Sequence, residues 1–343
     1  MKVCVIGLGS MGKRRIRLLR QLFPDVEIVG IDSNGDRMAA VAKEYAIGCC
    51  ASLDEIRTAM DCAFVCTSPK SHGPIINACL EKGCHVFSEI NLLSDLYAEN
   101  IRLAGQKQRV LFLSSTPLYK EEMRHITEQV RQNGKPCVYQ YHVGQYLPDW
   151  HPWDDLKEFF VSQKSTNGCR ELLAIELPWM QNAFGTIASV RTIRRKTTAL
   201  PFDFPDTYLV QIEHVGGTVG NLLVDVVSRQ AVRRLEVMNE QLYIRWDGTP
   251  DSLWEKNIST GELERVGTGA YIHEKEYGEF INEYAYAKEI KEFFAVIKGG
   301  QAIYGFEKDE ETLRIIDEIE GMEETDVMEE TDVMDESPAK KCQ

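Results

Sequence analysis

No stretch of this chain stays apolar for the roughly 18 residues needed to cross a bilayer as a helix, so no membrane span is expected. The N-terminal MKVCVIGLGS carries one lysine and a short apolar run. It lacks the apolar length and cleavage site of a signal peptide, and reads as the first strand of a cytoplasmic protein. Metal-ligand spacing is missing too. The ten cysteines include no C-x-x-C; Cys49 and Cys50 adjoin, and Cys62 and Cys66 share one strand segment. That excludes a zinc ribbon and a disulfide framework, and leaves reduced thiols as the expected state. His142, His214 and His273 have no carboxylate or thiol at ligand spacing, so no metal site is expected. No G-x-S-x-G is present, and nothing else suggests a covalent nucleophile. A basic surplus is absent as well: 39 Lys and Arg stand against 53 Asp and Glu, a formal net charge of -14. That balance argues against nucleic acid or an anionic membrane as a partner. Much of the charge is local, because residues 321–343 hold eight acids and two lysines and repeat EETDVM in tandem. Two six-residue copies are too few for a repeat architecture, and the segment reads as an acidic, disordered tail.

What is present begins with alternation. Over the first 117 residues short β-rich runs (KVCVIGL, VEIVGID, CAFVCTS, HVFSE, VLFLSS) alternate with helix-spaced runs such as KRRIRLLRQLF, where Ile16, Leu19 and Phe23 share a face. Such alternation implies a parallel sheet wrapped by helices. Beyond Pro117 the strands lengthen and alternate in polarity, as in TYLVQIEHVGGTVGNLLVDVVS, where Gly216-Gly217 marks a hairpin. The expected fold is α/β: a dinucleotide-binding domain over 1–117, a second α/β domain with an open, mostly antiparallel sheet over 118–320, and the tail over 321–343. An open sheet with one bare face commonly serves as a subunit interface, so a homodimer or homotetramer is expected.

VIGLGSMGKRRI places Gly7-x-Gly9-x-x-Gly12 directly after the first strand and before a helix. In that context the glycines give a tight turn, close approach of backbone to a pyrophosphate, and helix–strand packing, with the anion on the helix N-terminus. Gly7, Gly9, Ser10, Met11 and Gly12 are therefore the cofactor loop. Asp32 ends the second strand, 20 residues after Gly12, where a carboxylate accepts from a ribose 2′-hydroxyl and repels a 2′-phosphate. Arg14, Arg15 and Arg37 lie close enough in sequence to blunt that repulsion, so NAD is favoured over NADP rather than settled.

The GLGSMG loop, CTSPKSH after the fourth strand, ACLEKGCHVFSE and the late helix EIKEFFAVIKGG, in this order, resemble the Gfo/Idh/MocA family of glucose–fructose oxidoreductase and inositol dehydrogenase relatives over about residues 2–320. The resemblance implies a Rossmann domain, a second α/β domain whose open sheet oligomerises, and hydride transfer between NAD(P) and a sugar or polyol carbon. It adds Thr67, His72 and Glu89 to the cofactor-side residues; a capping or packing role for His72 is the alternative. The family's Glu-Lys-Pro is Glu89-Ile90-Asn91 here, and its Asp-x-x-x-His falls on Glu171 and Ile175. Both expected proton-handling residues are thus aliphatic, and isoleucine has no proton to exchange.

Substitutes come from the residues themselves. YHVGQYLPDWHPWDDLKEFF gathers Tyr146, Trp150, His151, Trp153, Asp154 and Asp155, aromatic faces and acids of the kind that hold sugar rings; a tryptophan-rich loop packed between domains is the other reading. His151, which titrates near neutrality, is the first candidate acid/base, Tyr146 the second, and Glu176 the third if the alignment slips by one residue. The expected activity is NAD-dependent oxidation or reduction of a sugar-like small molecule. A catalytically silent nucleotide-binding protein, or a non-redox lyase or epimerase with tightly held NAD, are the alternatives.

Overall fold

The computed structural model describes residues 1–150, 160–267, 280 and 282–321. Six short strands, β1 (Lys2–Ile6), β2 (Glu27–Ile31), β3 (Gly48–Cys50), β4 (Cys62–Val65), β5 (His85–Ser88) and β6 (Leu111–Leu113), form one sheet in the order β3-β2-β1-β4-β5-β6. Every pairing in it is parallel. Helices α1 (Ser10–Leu22), α2 (Gly35–Tyr45), α3 (His72–Glu81) and α4 (Tyr97–Lys107) make the crossovers. β1 and β4 are buried along almost their whole length, because a parallel sheet is covered on both faces and its strands read as continuous apolar runs. The strand order reverses between β1 and β4, and the carboxyl ends flanking such a switch point open a crevice for ligand.

After α5 (Glu121–Asn133) the chain builds a second sheet from β7 (Val138–Gly144), which is followed by α6 (Gly168–Phe184), and then from β8 (Ile187–Arg195), β9 (Thr207–His214), β10 (Val219–Asp225), β11 (Val232–Asn239), β12 (Leu242–Trp246), β13 (Leu253–Lys256) and β14 (Leu263–Arg265). Its order is β14-β13-β12-β11-β7-β10-β9-β8. All pairings are antiparallel except β7 with β10 at the centre. β9 and β10 are joined by the Gly216-Gly217 turn, where Gly217 adopts a positive φ of 84°. One face of this sheet packs under α5 and α6. The other leaves apolar cross-strand pairs in the open: Ile193 (56% exposed) faces Leu209 (49%), and Val138 lies beside Val219.

Two helices follow, α7 (Glu283–Ile297) and α8 (Phe306–Glu320). By sequence both belong to the second domain, yet α7 returns to cover the first sheet. Phe64, Phe87 and Phe112 sit in register on β4, β5 and β6 and stack in a row. Phe293 of α7 meets all three edge-on at 5.4–5.7 Å, and Phe294 meets Phe23, the residue that caps the end of α1, at 4.7 Å. A helix that follows the second sheet in sequence thus completes the layer over the first. The tail from 322 onward lies outside the described residues. Phe293 is wholly buried, so Phe293→Ala is expected to cost about 3–5 kcal/mol of stability, read by denaturant unfolding. A cost below about 1 kcal/mol would show that α7 contributes little to the first domain.

Candidate active site

The glycine loop lies between β1 and α1 at the switch point. Gly7 takes φ +91°, and a Cβ on it would come within 2.6 Å of the Cys66 carbonyl oxygen. A Cβ on Gly12 would stand 1.9 Å from the Gly7 carbonyl oxygen; only glycine fits, because helix and loop touch backbone to backbone. Gly9 is different: nothing lies within 4 Å of a Cβ built there. As the N-cap it offers no side chain, and the first turn of α1 holds no acid. The leading N–H groups of α1 therefore face open space with the helix's positive end behind them, the arrangement that accepts a phosphate. Ser10 is exposed beside this opening and Met11 is half-buried.

Asp32, buried at the end of β2, accepts from the Leu8 N–H at 2.7 Å and the Asn34 N–H at 2.9 Å, with the half-exposed Arg37 guanidinium 3.3 Å away. It thus fixes the glycine loop and lies at its rim. The first sheet meets the requirements of a dinucleotide: an open helix N-terminus, a glycine over which backbone can be approached, and a carboxylate one strand across.

At the ends of β4 and β5, His72 is buried, with Nε2 2.9 Å from the Thr67 carbonyl oxygen and Nδ1 2.6 Å from the Asn91 amide. Burial lowers its pKa below the ordinary histidine value although both hydrogen bonds oppose that, so the ring is neutral near pH 7. His72 and Asn91 thereby hold the Thr67 loop against the β5 loop. Thr67 is half-buried, its hydroxyl accepting from Ser71.

Glu89 faces inward. Both of its oxygens meet Arg15 of α1, at 2.5 and 3.1 Å, and the same guanidinium donates to Glu289 of α7 at 2.7 Å. Glu289 also accepts from the Ser114 hydroxyl and the Ser115 N–H. Arg15 is fully buried; burial alone would weaken its hold on its proton, but Glu89 and Glu289 outweigh this and keep it charged. Glu289 itself rises above the usual carboxylate range through burial, with Arg15 pulling against it.

From the second domain α6 arrives with its first turn tied to the β5 loop. Asn167 caps it by accepting from the Arg170 N–H, and Arg170 Nε donates to the Leu92 carbonyl at 2.7 Å while its guanidinium pairs with Asp317 and Glu320 of α8. Most of α6 is buried; Glu171 and Ile175, one turn apart, form its partly exposed stripe. Glu176 points the other way. It is fully buried, accepts from the Tyr141 hydroxyl at 2.7 Å and the Trp179 indole at 2.6 Å, and pairs with Arg233. Beside that group Lys120 donates to the Phe280 carbonyl, its pKa pushed down to about 8 by burial and by Arg233. Tyr146 is half-buried, with the Arg229 guanidinium 4.1 Å above its ring. His151, Trp153, Asp154 and Asp155 lie outside the described residues.

Of the three acid/base candidates, then, Glu176 is enclosed by partners and Tyr146 carries a cation on its ring. Ile90 and Ile175 are half-buried. The residue that sequence reasoning passed over is Glu171. Its Oε2 is buried and has no hydrogen-bond partner, and burial pushes its pKa up to about 7. The only signal in the sequence was its place in the family's Asp-x-x-x-His pattern. Among the described residues no group of three or more His, Cys, Asp or Glu could hold a metal, and no helix is long and apolar enough to cross a membrane.

Residues 1–112 match the family model GFO_IDH_MocA, described as an oxidoreductase family with an NAD-binding Rossmann fold. No curated protein matches the chain. Among solved structures, the UDP-N-acetylglucosamine 3-dehydrogenase of Acidithiobacillus ferrooxidans is 17% identical with a TM-score of 0.73, covering 94% of this chain and 97% of its own. Levoglucosan dehydrogenase in complex with NADH is 17% identical with a TM-score of 0.75, covering 94% and 96%. An oxidoreductase from Agrobacterium radiobacter in complex with NAD+, L-tartaric acid and magnesium is 11% identical with a TM-score of 0.75, covering 91% and 93%. These likenesses extend over both domains and concern the fold. Over residues 1–112, which hold its glycine loop, the chain is thus similar to the NAD-binding Rossmann domain of the Gfo/Idh/MocA oxidoreductase family.

Proposed function

We propose that this chain is an NAD-dependent oxidoreductase acting on a hydroxyl or carbonyl of a sugar or sugar derivative. The observation that carries the reading is the open, acid-free N-terminus of α1 at Gly9, with Asp32 at its rim and α6 tied to the loop after β5 through Arg170. When bound, NAD supplies the hydride acceptor. The chain's own part is to hold the pyrophosphate on α1, to select the ribose with Asp32, and to present polar groups of the second domain to the substrate. Two of the solved relatives are named as dehydrogenases of sugars, UDP-N-acetylglucosamine and levoglucosan, which supports the substrate class. Thr67 and His72 would line the nicotinamide end, Glu89 would brace it through Arg15, and His151 and Tyr146 are the acid/base candidates of the sequence that are not enclosed, as Glu176 is, by Tyr141, Trp179 and Arg233. The exposed apolar pairs of the second sheet fit a homodimer or homotetramer.

The two glycines separate binding from folding. Gly9→Ala adds a methyl group only where the pyrophosphate would approach, so it is expected to weaken NAD binding at least tenfold, about 1.4 kcal/mol, with the thermal midpoint nearly unchanged. Gly12→Ala must displace the Gly7 carbonyl and is expected to lower both. Calorimetric titration with NAD, next to a melting curve, distinguishes them; equal NAD affinity in Gly9→Ala would place the cofactor elsewhere.

Asp32 decides the choice of dinucleotide. The parent protein is expected to bind NAD more tightly than NADP, and Asp32→Ala to narrow that gap while weakening both through loss of the Leu8 contact. A parent protein that prefers NADP would overturn the role given to Asp32.

A further inference from the structure

Glu171 carries chemistry that nothing else near it uses. The first turn of α6 is fixed beside the β5 loop by Arg170 and the Leu92 carbonyl, so Glu171 emerges next to the segment that ends the cofactor crevice. Its Oε2 is shielded from solvent yet accepts no hydrogen bond, an arrangement that native proteins seldom leave without a ligand or a chemical use. Three residues earlier on the same face lies Gly168, where an added Cβ would be 3.5 Å from the Trp150 ring. The Trp150 indole Nε1 is likewise buried and unpartnered. An open acceptor and an open donor flanking one helix face suit a polyol, which offers both on adjacent carbons.

We propose that Glu171 is the catalytic residue that takes the proton of the reacting hydroxyl, an assignment that rests on the oxidoreductase reading above. In the oxidative direction the substrate C–H bond breaks and its hydride passes to NAD+. The O–H bond breaks and its proton passes to the Glu171 carboxylate. Ketone, NADH and a protonated Glu171 result, and the acid returns its proton to water or to the carbonyl in the reverse direction. The charged groups of the packed elements are committed elsewhere. Arg170 serves Asp317 and Glu320 of α8. Arg233 serves Glu176 on the far face, with Lys120 nearby. Asp206 and Asp225 are satisfied beneath Cys169, and Lys164 lies on the turn before α6. Burial is the one cause acting on Glu171. Because its folded-state pKa stands above the ordinary carboxylate value, the folded protein binds this proton more tightly than the unfolded chain. Stability is therefore full below about pH 4.5 and falls as pH rises toward about 7.

The test uses the full chain, Glu171→Gln, Glu171→Asp and His151→Ala, with NAD and one sugar or polyol from which the parent forms NADH. Glu171→Gln is expected to bind NAD like the parent, to lose about 10²–10⁴-fold in turnover, and to lose the titration near pH 7 in the pH–rate profile; Glu171→Asp is expected to recover part. Independently of activity, the melting temperature of the parent relative to Glu171→Gln is expected to fall between pH 5 and pH 8. Turnover of Glu171→Gln within a few-fold of the parent overturns the assignment, as do parallel pH–stability curves or removal of the titration by His151→Ala instead. A parent that binds NAD but forms NADH from no member of a broad panel defeats the oxidoreductase reading, and this assignment with it.

Discussion

The Arg15 guanidinium holds together parts of the chain that are far apart in sequence. It lies fully buried 4.4 Å above the Phe87 ring, between Glu89 at the end of β5 and Glu289 of α7. Through these contacts the helix that starts at the glycine loop is fixed to the strand end beside the crevice and to α7, which begins only at Glu283. Removing Arg15 would leave Glu89 and Glu289 buried without their shared cation, a loss of about 3–5 kcal/mol for pairs of this kind. The ion cluster and the Phe64–Phe87–Phe112 row under Phe293 work at one layer. The aromatic contacts supply the apolar burial, and the charges fix which way α7 lies on it.

The consequence reaches the site. Because α7 closes the first sheet, the chain passes from the nucleotide domain to the second sheet and back, and the two sheets are joined at both ends of that excursion. Arg14 adds a second link by donating to Glu283 at 3.0 Å, and Arg170 adds a third by bridging the Leu92 carbonyl and α8. Paired, buried charges thus surround the carboxyl end of the first sheet on several sides. Geometry held this way is set before ligand arrives, which spares the ordering cost that a mobile site incurs on binding.

How much of this could be read from the sequence depended on how local the cause was. The phosphate loop was legible because three glycines and an aspartate carry their reason within about 25 residues: backbone contact, helix end and ribose. The strands of the second sheet were legible as faces, since alternation reports what is buried, but not as neighbours. Nothing in CVYQYHVGQY tells that β7 runs parallel to β10 in the middle of an otherwise antiparallel sheet. α7 was plain as a helix with Phe293 and Phe294 on its apolar side, yet an apolar side does not name the sheet it covers. The role of His72 was half visible, since its place at the crevice mouth could be read but the neutral, doubly bonded ring could not. Glu171 was hidden for a better reason: an acid in the first turn of a helix ordinarily complements the helix dipole, and only the burial of Oε2 sets this one apart.

The two isoleucines then take on a meaning beyond loss. A lysine at position 90 or a histidine at 175 would add a positive charge or a hydrogen-bond donor near the α6 face and favour an ionised carboxylate there. With Ile175 one turn along the same stripe and Ile90 beside the loop that Arg170 grips, no such charge is supplied, and desolvation acts on Glu171 unopposed. A carboxyl group whose pKa lies near the working pH can both accept and return a proton with little loss in either direction. The aliphatic replacements and the raised pKa of Glu171 are thus two sides of one arrangement, in which removing the cations changes which residue is fit to move the proton.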